Sequence, residues 1–163
     1  LGAATPWLAL AGGAAAGAAW AAGPAALRRR FGVLEVISTI MLNFVALHAV
    51  GWLVRGPLQE PTRVFPQSET LADAARLPVL VAGSRLHAGA LLAVGAAVAL
   101  WVVLRTTAAG FRLRAVGMNP LAAASAGRID VERVTLRAFL LSGGLAGVAG
   151  AQEVTGVTYA LYE

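Results

Sequence analysis

The sequence predicts an all-α membrane protein, a polytopic bundle of transmembrane helices joined by short polar linkers. Hydrophobic residues make up 58% of the 163 positions and charged residues only 13%, whereas a soluble domain carries about 25% charged residues. Uncharged apolar stretches recur at close to the ~20 residues that a helix needs to cross a bilayer. The arginines lie mainly between these stretches, as in a chain that crosses the membrane several times.

The residue types that are missing exclude several classes of protein. The chain contains no cysteine, which excludes disulfides, zinc–thiolate sites and thiol nucleophiles. All 13 of its basic residues are arginine, which excludes a P-loop ATPase and a Schiff-base enzyme, because both need a lysine. His48 and His87 have no second ligand at helical spacing, and we expect neither a metal site nor a bound cofactor.

Four apolar stretches are predicted to cross the membrane: residues 7–23, 36–54, 86–104 and 134–154. The second and third contain 19 residues each, and a helix of that length is about 28 Å long. The first is mostly alanine and glycine and carries no charge. The fourth can span the bilayer if Arg137 and Glu153 lie near its ends.

Small residues stand four positions apart in the first and fourth stretches. The pairs are Gly13 with Gly17 and Gly143 with Gly147, a spacing that in lipid allows two helix backbones to approach closely. A composition rich in alanine and glycine also produces such pairs by chance, which for the first pair is an even alternative. The run 142–147 is harder to explain by chance, and we expect it to pack tightly inside the bundle.

The distribution of arginine predicts which linkers are cytoplasmic. Linkers 24–35 and 105–133 are dense in arginine, whereas linker 55–85 combines four arginines with three acidic residues and four prolines. By the positive-inside rule, the first and third linkers lie in the cytoplasm and 55–85 forms an outer loop. The net charge of +5 fits an anionic membrane better than nucleic acid, because the arginines are not gathered on one amphipathic helix.

The third linker contains the sequence signals of a short helix. Asn119 can accept a hydrogen bond from a free N–H of the first turn, Pro120 suits the first helical position, and Gly127 suits the left-handed position after the last turn. Such a helix can dock a soluble partner on the cytoplasmic side. It can equally lie on the membrane surface with Arg112 and Arg114 on lipid phosphates, and the residues alone do not decide between the two.

A polar stripe enters the second apolar stretch. Glu35, Thr39 and Asn43 are four positions apart and share one helix face, with Ser38 beside them. Within a membrane such a stripe faces a cavity or another helix. We favour interhelical hydrogen bonds, worth about 0.6 kcal/mol each, for Ser38 and Thr39, and the wall of a translocation path for Asn43. Glu153, at the end of the fourth stretch, belongs either to that path or to the membrane interface.

Three blocks of the sequence resemble the permease subunits of bacterial ABC importers for simple sugars and nucleosides. Residues 17–20 followed by 24–28 resemble a glycine-rich span with its cytoplasmic exit, and 35–43 followed by 53–58 resemble the nucleoside branch of that family. Residues 110–127, followed by 140–150 with the run Ser-Gly-Gly-Leu-Ala-Gly, resemble the coupling loop and the span after it. The resemblance covers nearly the whole chain, and it implies an internal part of a longer, multi-pass protein of the bacterial plasma membrane.

The resemblance also implies roles for individual residues, because it makes the short helix a cytoplasmic coupling helix that docks a separate ATPase. The residues expected to couple to the ATPase are Arg112, Arg114, Gly117, Asn119, Pro120, Ala122, Ala123 and Gly127, and those expected to form the translocation path are Glu35, Ser38, Thr39, Asn43 and Glu153. The implied partners are an ABC ATPase subunit, a second permease subunit, an extracytoplasmic solute-binding protein and membrane lipid. The implied function is passage of a nucleoside or simple sugar by alternating access, without catalysis by this chain.

Two other functions stay open from the sequence. A permease for branched-chain amino acids shares the broad architecture, and only the block at 35–43 argues against it. An intramembrane enzyme would need paired ionisable or nucleophilic groups at membrane depth. The candidates for such groups are Glu35, Asn43, Ser142 and Glu153, and none has a histidine or lysine beside it in the sequence.

Overall fold

The computed structural model describes residues 4–81, 83–84, 86–127 and 129–162, without the side chains of 126 and 127. In that part of the chain the protein is helical and has no β-sheet, which confirms the all-α prediction. The helices are α1 (Thr5–Phe31), α2 (Glu35–Arg55), α3 (Ala88–Thr106), α4 (Ala108–Met118), α5 (Pro120–Gly127) and α6 (Val131–Glu153). A 3₁₀ turn at Asp73–Ala75 lies between α2 and α3, and a π-helical turn at Val154–Thr158 extends α6.

Helices α2, α3 and α6 with its π-helical turn have the length and apolar composition of membrane spans. Few of their side chains are buried by the rest of the chain, as expected for helices that are surrounded by hydrocarbon or by further spans. Helix α1 has 27 residues, which is also long enough to cross a bilayer. Its alanine and glycine content makes it less apolar than α2 and α3.

Helix α1 continues through most of the linker predicted at 24–35. Pro24 lies inside the helix, where it removes one backbone donor but is tolerated in a membrane helix. The alanine, leucine and arginine residues that follow it are strong helix formers. The helix stops at Gly32, whose φ of 65° is left-handed and whose N–H donates to the Arg28 carbonyl oxygen at 2.9 Å.

Helices α1 and α6 pack against each other in antiparallel orientation through two pairs of glycines. Gly13 lies against Gly147, and Gly17 lies against Gly143. A Cβ atom at Gly13 would lie 2.6 Å from the Gly147 carbonyl oxygen, and a Cβ at any of the other three would also collide with the facing helix. The close packing predicted from the four-residue spacing is therefore confirmed, and its physical basis is direct backbone contact.

The two ends of the bundle differ in charge. At one end, called here the arginine-rich end, the last turn of α1 meets the first turn of α6, and Arg29 pairs with Glu132 at 3.1 Å. The described arginines of this end are Arg28, Arg29, Arg30, Arg105, Arg112, Arg114, Arg133 and Arg137. The loop between α2 and α3 lies at the opposite end, where the Leu77 N–H donates to the Thr155 carbonyl oxygen at 2.9 Å.

The linker predicted at 105–133 contains two helices, of which the sequence indicated one. Thr107 separates α3 from α4, and its hydroxyl accepts a hydrogen bond from the Gly110 N–H at 3.1 Å. A Cβ atom at Gly110 would lie 2.5 Å from the Leu104 Cα atom, so the chain turns this sharply from α3 into α4 only because residue 110 is glycine. Glycines and arginines interrupt the apolar pattern of α4, which is why its helix is hard to see in the sequence.

Candidate functional site

A cavity of about 980 Å³ lies between α1, α2 and α6. Its α1 wall and much of its α6 wall consist of glycine and alanine, because the glycine contacts bring the two backbones together there. Two aromatic side chains, Trp20 and Phe139, also line it. This volume is at the upper end of the range of about 300–1,000 Å³ that is typical of small-molecule pockets.

The polar groups that line this cavity are uncharged. They are Thr39 and Asn43 from α2, Ser142 from α6 and Thr155 from the π-helical turn, and no ionisable residue is among the described residues of the lining. The Thr39 hydroxyl donates to the Glu35 carbonyl oxygen at 2.8 Å, and the Thr155 hydroxyl donates to the Ala151 carbonyl oxygen at 2.7 Å. Within the described part of the chain the Asn43 amide has no hydrogen-bond partner, which leaves its donors and acceptor for a solute or for water.

The other residues predicted for the path lie away from the cavity. Glu35 pairs with Arg28 across the short turn between α1 and α2. Ser38 is buried and its hydroxyl donates to the Glu35 carbonyl oxygen at 3.1 Å. Its bonds, like those of Thr39, are made within α2 and not between helices. Glu153 is exposed at the last residue of α6. Of the five predicted path residues, the cavity therefore brings together Thr39 and Asn43.

The short helix α5 forms a projecting knob at the arginine-rich end. The Asn119 Oδ1 atom accepts a hydrogen bond from the Ala122 N–H at 3.0 Å, and Pro120 is the first helical residue. These two features are as the sequence predicted, and they satisfy one of the free donors of the first turn. Gly127, predicted to follow the helix, is its last residue. A rigid knob of two turns results.

Two large apolar side chains at the junction of α4 and α5 escaped the sequence analysis. Met118 is 82% exposed and Leu121 is 81% exposed, and they flank the Asn-Pro cap. Exposed apolar groups of this size on a segment that connects two spans are typical of a docking surface. The signal in the sequence was an apolar residue on either side of a helix cap, in a segment that does not cross the membrane.

The remaining residues predicted to couple to an ATPase divide into exposed and buried positions. Gly117 has open space where a side chain would stand, and Ala122 is exposed. Arg112 and Arg114 are exposed on α4. Ala123, in contrast, is only 7% exposed, and its carbonyl oxygen accepts from the Ile129 N–H at 3.4 Å. Ala123 therefore supports the knob from within, and the other positions form its surface.

At the opposite end, the loop between α2 and α3 is fastened to the end of α6. This contact, the loop clamp, comprises hydrogen bonds from the Leu71 N–H to the Tyr159 carbonyl oxygen at 2.8 Å and from the Ser68 N–H to the Leu161 carbonyl oxygen at 2.9 Å. The Arg76 guanidinium lies 4.6 Å from the centre of the Tyr159 ring. Tyr159 has a left-handed φ of 57°, which turns the chain out of the π-helical turn and back over the loop.

Within the same loop, one carboxylate organises a tight turn. The Glu60 oxygens accept hydrogen bonds from the Gln67 side chain at 2.6 Å, from the Thr62 hydroxyl at 2.7 Å and from the Phe65 N–H at 3.3 Å. These bonds favour the charged form, and they lower the pKa of Glu60, with the Gln67 amide as the largest cause. The loop clamp and this turn give the loop between α2 and α3 a defined structure although it contains little helix.

Comparison with known proteins gives relatives of one kind. A glucose ABC transporter permease protein of Haloferax volcanii is 43% identical over 151 residues, which cover 86% of this chain and 40% of the relative. A guanosine ABC transporter permease protein of Bacillus subtilis is 40% identical over 152 residues, covering 91% of this chain and 43% of the relative. A second guanosine ABC transporter permease protein of Bacillus subtilis is 32% identical over 156 residues, covering 92% and 49%. The chain thus spans about two fifths of the length of the first two relatives.

Family membership follows from residues 1–162, which match the family described as branched-chain amino acid transport system / permease component. No solved structure shows significant similarity to the chain. The relatives confirm the resemblance to sugar and nucleoside permeases. The family and the relatives together confirm a multi-pass location in the plasma membrane and the expectation of a transport component in place of an enzyme. The chain belongs to the branched-chain amino acid transport system permease family.

Proposed function

We propose that this chain is part of the membrane permease of an ATP-driven importer, in which it forms one wall of a path for a nucleoside or simple sugar and docks a separate ATPase. The observation that carries the proposal is the attachment of the knob at both of its ends. Towards α3, the Thr107–Gly110 corner leaves no slack between α4 and the span. Towards α6, the Asp130 carboxylate caps the first turn of α6 by accepting a hydrogen bond from the Arg133 N–H at 3.0 Å. A partner that moves the knob would therefore move both spans.

The surface of the knob suits an ATPase subunit as that partner. Met118 and Leu121 offer apolar anchors, and Arg112 and Arg114 on α4 supply positive charge around them. An apolar centre with a charged surround is the usual composition of a protein interface. Asn119 and Pro120 shape the cap, Ala123 supports the knob from within, and Gly117 and Ala122 leave room for the partner to approach.

The chemistry of the cavity favours an uncharged polar solute. Hydroxyl and amide groups line it beside two aromatic rings, without an ionisable side chain among the described lining residues. An amino acid in the cavity would bring an ammonium and a carboxylate into an apolar site, which is costly unless each is paired. A nucleoside or a sugar needs hydrogen bonds alone. The names of the relatives, glucose and guanosine permeases, agree with this choice over a branched-chain amino acid.

The charge difference between the two ends supports a cytoplasmic position for the knob. Eight described arginines lie at its end, whereas the outer loop combines arginine with Glu60, Glu69 and Asp73. On this orientation the spans 7–23, 36–54, 86–104 and 134–154 alternate across the bilayer. The outer loop is then on the side from which a solute-binding protein delivers, and the exposed apolar faces of α2 and α3 meet lipid or a second permease subunit.

The test uses the full-length permease expressed with its ATPase and reconstituted in liposomes. Leu121→Asp places a charge at the apolar centre of the knob, and we expect it to abolish both uptake of labelled guanosine or glucose and co-purification of the ATPase. Leu58→Asp is the matched control, since it makes the same change at a half-exposed leucine of the outer loop. Co-purification should survive in that control. Normal uptake and ATPase attachment in Leu121→Asp would refute the docking role of the knob.

A further inference from the structure

A second cavity lies at the arginine-rich end, between α3, α4 and α6, and has a volume of about 440 Å³. Its polar wall consists of Arg112 from α4, Arg133 and Arg137 from α6, and Asp130. The rest of its wall is largely aliphatic, with contributions from all three helices: Leu100, Val103, Leu104, Leu113, Val134 and Leu141. The cavity therefore combines a basic side with a hydrocarbon side.

The charges around this cavity are not balanced. The Asp130 carboxylate already accepts from the Arg133 N–H at 3.0 Å and pairs with the Arg133 Nε atom at 2.8 Å. Arg112 and Arg137 have no acidic partner in the described part of the chain. Two guanidinium groups from different helices thus border one cavity without an acidic partner of their own. Guanidinium groups bind phosphate oxygens through paired, charge-assisted hydrogen bonds.

The depth of Arg137 narrows the choice of anion. It lies within the stretch Val131–Thr158 that has the composition of a membrane span, and seven residues after Asp130 it is about 10 Å further along the helix. A cation at this depth is costly unless it reaches water or an anion. Phospholipid phosphates lie at the edge of the hydrocarbon region, next to the aliphatic wall that continues along Leu141 and Val103, both of which are exposed. A free phosphate ion would leave that wall unused.

From these observations we infer that the second cavity binds an anionic phospholipid, whose phosphate is held between Arg112 and Arg137 and whose acyl chain lies along α3 and α6. The two arginines belong to α4, which carries the knob, and to α6, which lines the translocation cavity. The bound lipid therefore joins the docking element to a span. The inference does not depend on which solute the permease carries.

The test measures lipid binding to the full-length permease after removal of lipid in detergent. Native mass spectrometry compares phosphatidylglycerol with phosphatidylcholine of the same acyl chains, and inorganic phosphate serves as the free anion. Phosphatidylglycerol should bind in preference to phosphatidylcholine. Arg112→Gln and Arg137→Gln should each weaken its binding about tenfold, the effect of one lost charge-assisted hydrogen bond. Arg137→Lys should restore part of the affinity, because it keeps the charge without the paired geometry.

The matched control is Arg114→Gln, an exposed arginine of the same helix that does not line the cavity. It should bind phosphatidylglycerol as the unmodified protein does. If the Arg112 and Arg137 variants bound phosphatidylglycerol as tightly as the unmodified protein, the inference would be overturned. Competition in which inorganic phosphate displaces the lipid completely would also overturn it, because the site would then recognise a free anion. Loss of ATPase attachment in Arg137→Gln with unchanged lipid affinity would assign the cavity to a protein partner, and the lipid site would be wrong.

Discussion

Gly17 of α1 and Gly143 of α6 touch through their backbones, and a Cβ atom on either would collide with the carbonyl oxygen of the other. About one turn further along the two helices, Gly13 and Gly147 make the same kind of contact. Helices in a membrane gain little from the hydrophobic effect against each other, so close backbone packing is a main source of their association. The same contact sets the wall of the cavity between α1, α2 and α6, since these four glycines all line it.

Enlarging one of these glycines should separate α1 from α6. We expect Gly143→Ala to destabilise the permease by about 1–3 kcal/mol, the cost of overpacking a contact that no rotamer change can relieve. Thermal unfolding in detergent measures the effect. Gly150→Ala is the matched control on the same helix, because nothing lies within 4 Å of the added Cβ. It should leave stability unchanged or raise it, since alanine is the better helix former.

The corner between α3 and α4 gives a second prediction. Gly110→Ala places a Cβ against Leu104 and the Val103 carbonyl oxygen, and we expect α4 to swing away from α3. The arginine-rich end should then become accessible to protease while the spans still insert. Limited proteolysis of inside-out vesicles checks this. The substitution Gly95→Ala, which meets open space in the middle of α3, should leave the digestion pattern unchanged, and an unchanged pattern in Gly110→Ala itself would contradict the prediction.

Local chemistry made part of the fold and of the site predictable. The α5 cap depends on Asn119 and Pro120, which are adjacent to the helix they start, and the α1–α6 contact depends on a four-residue spacing that is visible in the sequence. The polar stripe of α2 was also visible, although only Thr39 and Asn43 of it reach the cavity. Side-chain spacing gives the helix face, but the crossing of three helices decides which part of that face is open.

Features that depend on long-range contacts could not be predicted. The Leu161 N–H donates a hydrogen bond to the Ser68 hydroxyl at 2.9 Å, and the two residues are 93 positions apart in the sequence. Nothing in the local sequence around either residue predicts this contact. His87 was an isolated histidine in the sequence. In the structure its Nδ1 atom accepts from the Gly89 N–H at 3.1 Å, and its ring lies against Gly156 of the π-helical turn. Helix α3 is therefore started by a residue that also packs on the end of α6.

The cap of α5 should be needed for the rigidity of the knob. Asn119→Ala removes the acceptor for the Ala122 N–H, a loss of about 1 kcal/mol for an N-cap, and we expect faster amide exchange in α5 and weaker coupling of ATP hydrolysis to uptake. Asn119→Ser should keep most of both, because serine is also a good N-cap. Hydrogen exchange measured on the assembled permease checks the first effect. Equal exchange rates in Asn119→Ala and Asn119→Ser would contradict it.

Asn43 should determine solute affinity. Its amide lines the cavity and has no partner in the described part of the chain, so Asn43→Leu would remove hydrogen bonds made only to the solute. We expect KM for uptake to rise about tenfold, as for the loss of one or two such bonds, with expression unchanged. The neighbouring substitution Phe44→Leu changes an exposed side chain outside the cavity, and it should leave KM as it is. An unchanged KM in Asn43→Leu would remove this residue from the path.

The turn around Glu60 should loosen in acid. The hydrogen bonds from Gln67 and Thr62 hold the pKa of Glu60 below its ordinary value of 4.5, so the charged carboxylate stabilises the turn at all pH values above 4.5, and the stabilisation is lost as the pH falls through the lowered pKa. Val64→Cys places a fluorophore on this turn, in a stretch of chain that has no cysteine of its own. Its anisotropy should be constant from neutral pH down to 4.5 and fall below that. In a Glu60→Gln background the pH dependence should disappear, and an equal acid response with and without Glu60 would show that another group loosens the turn.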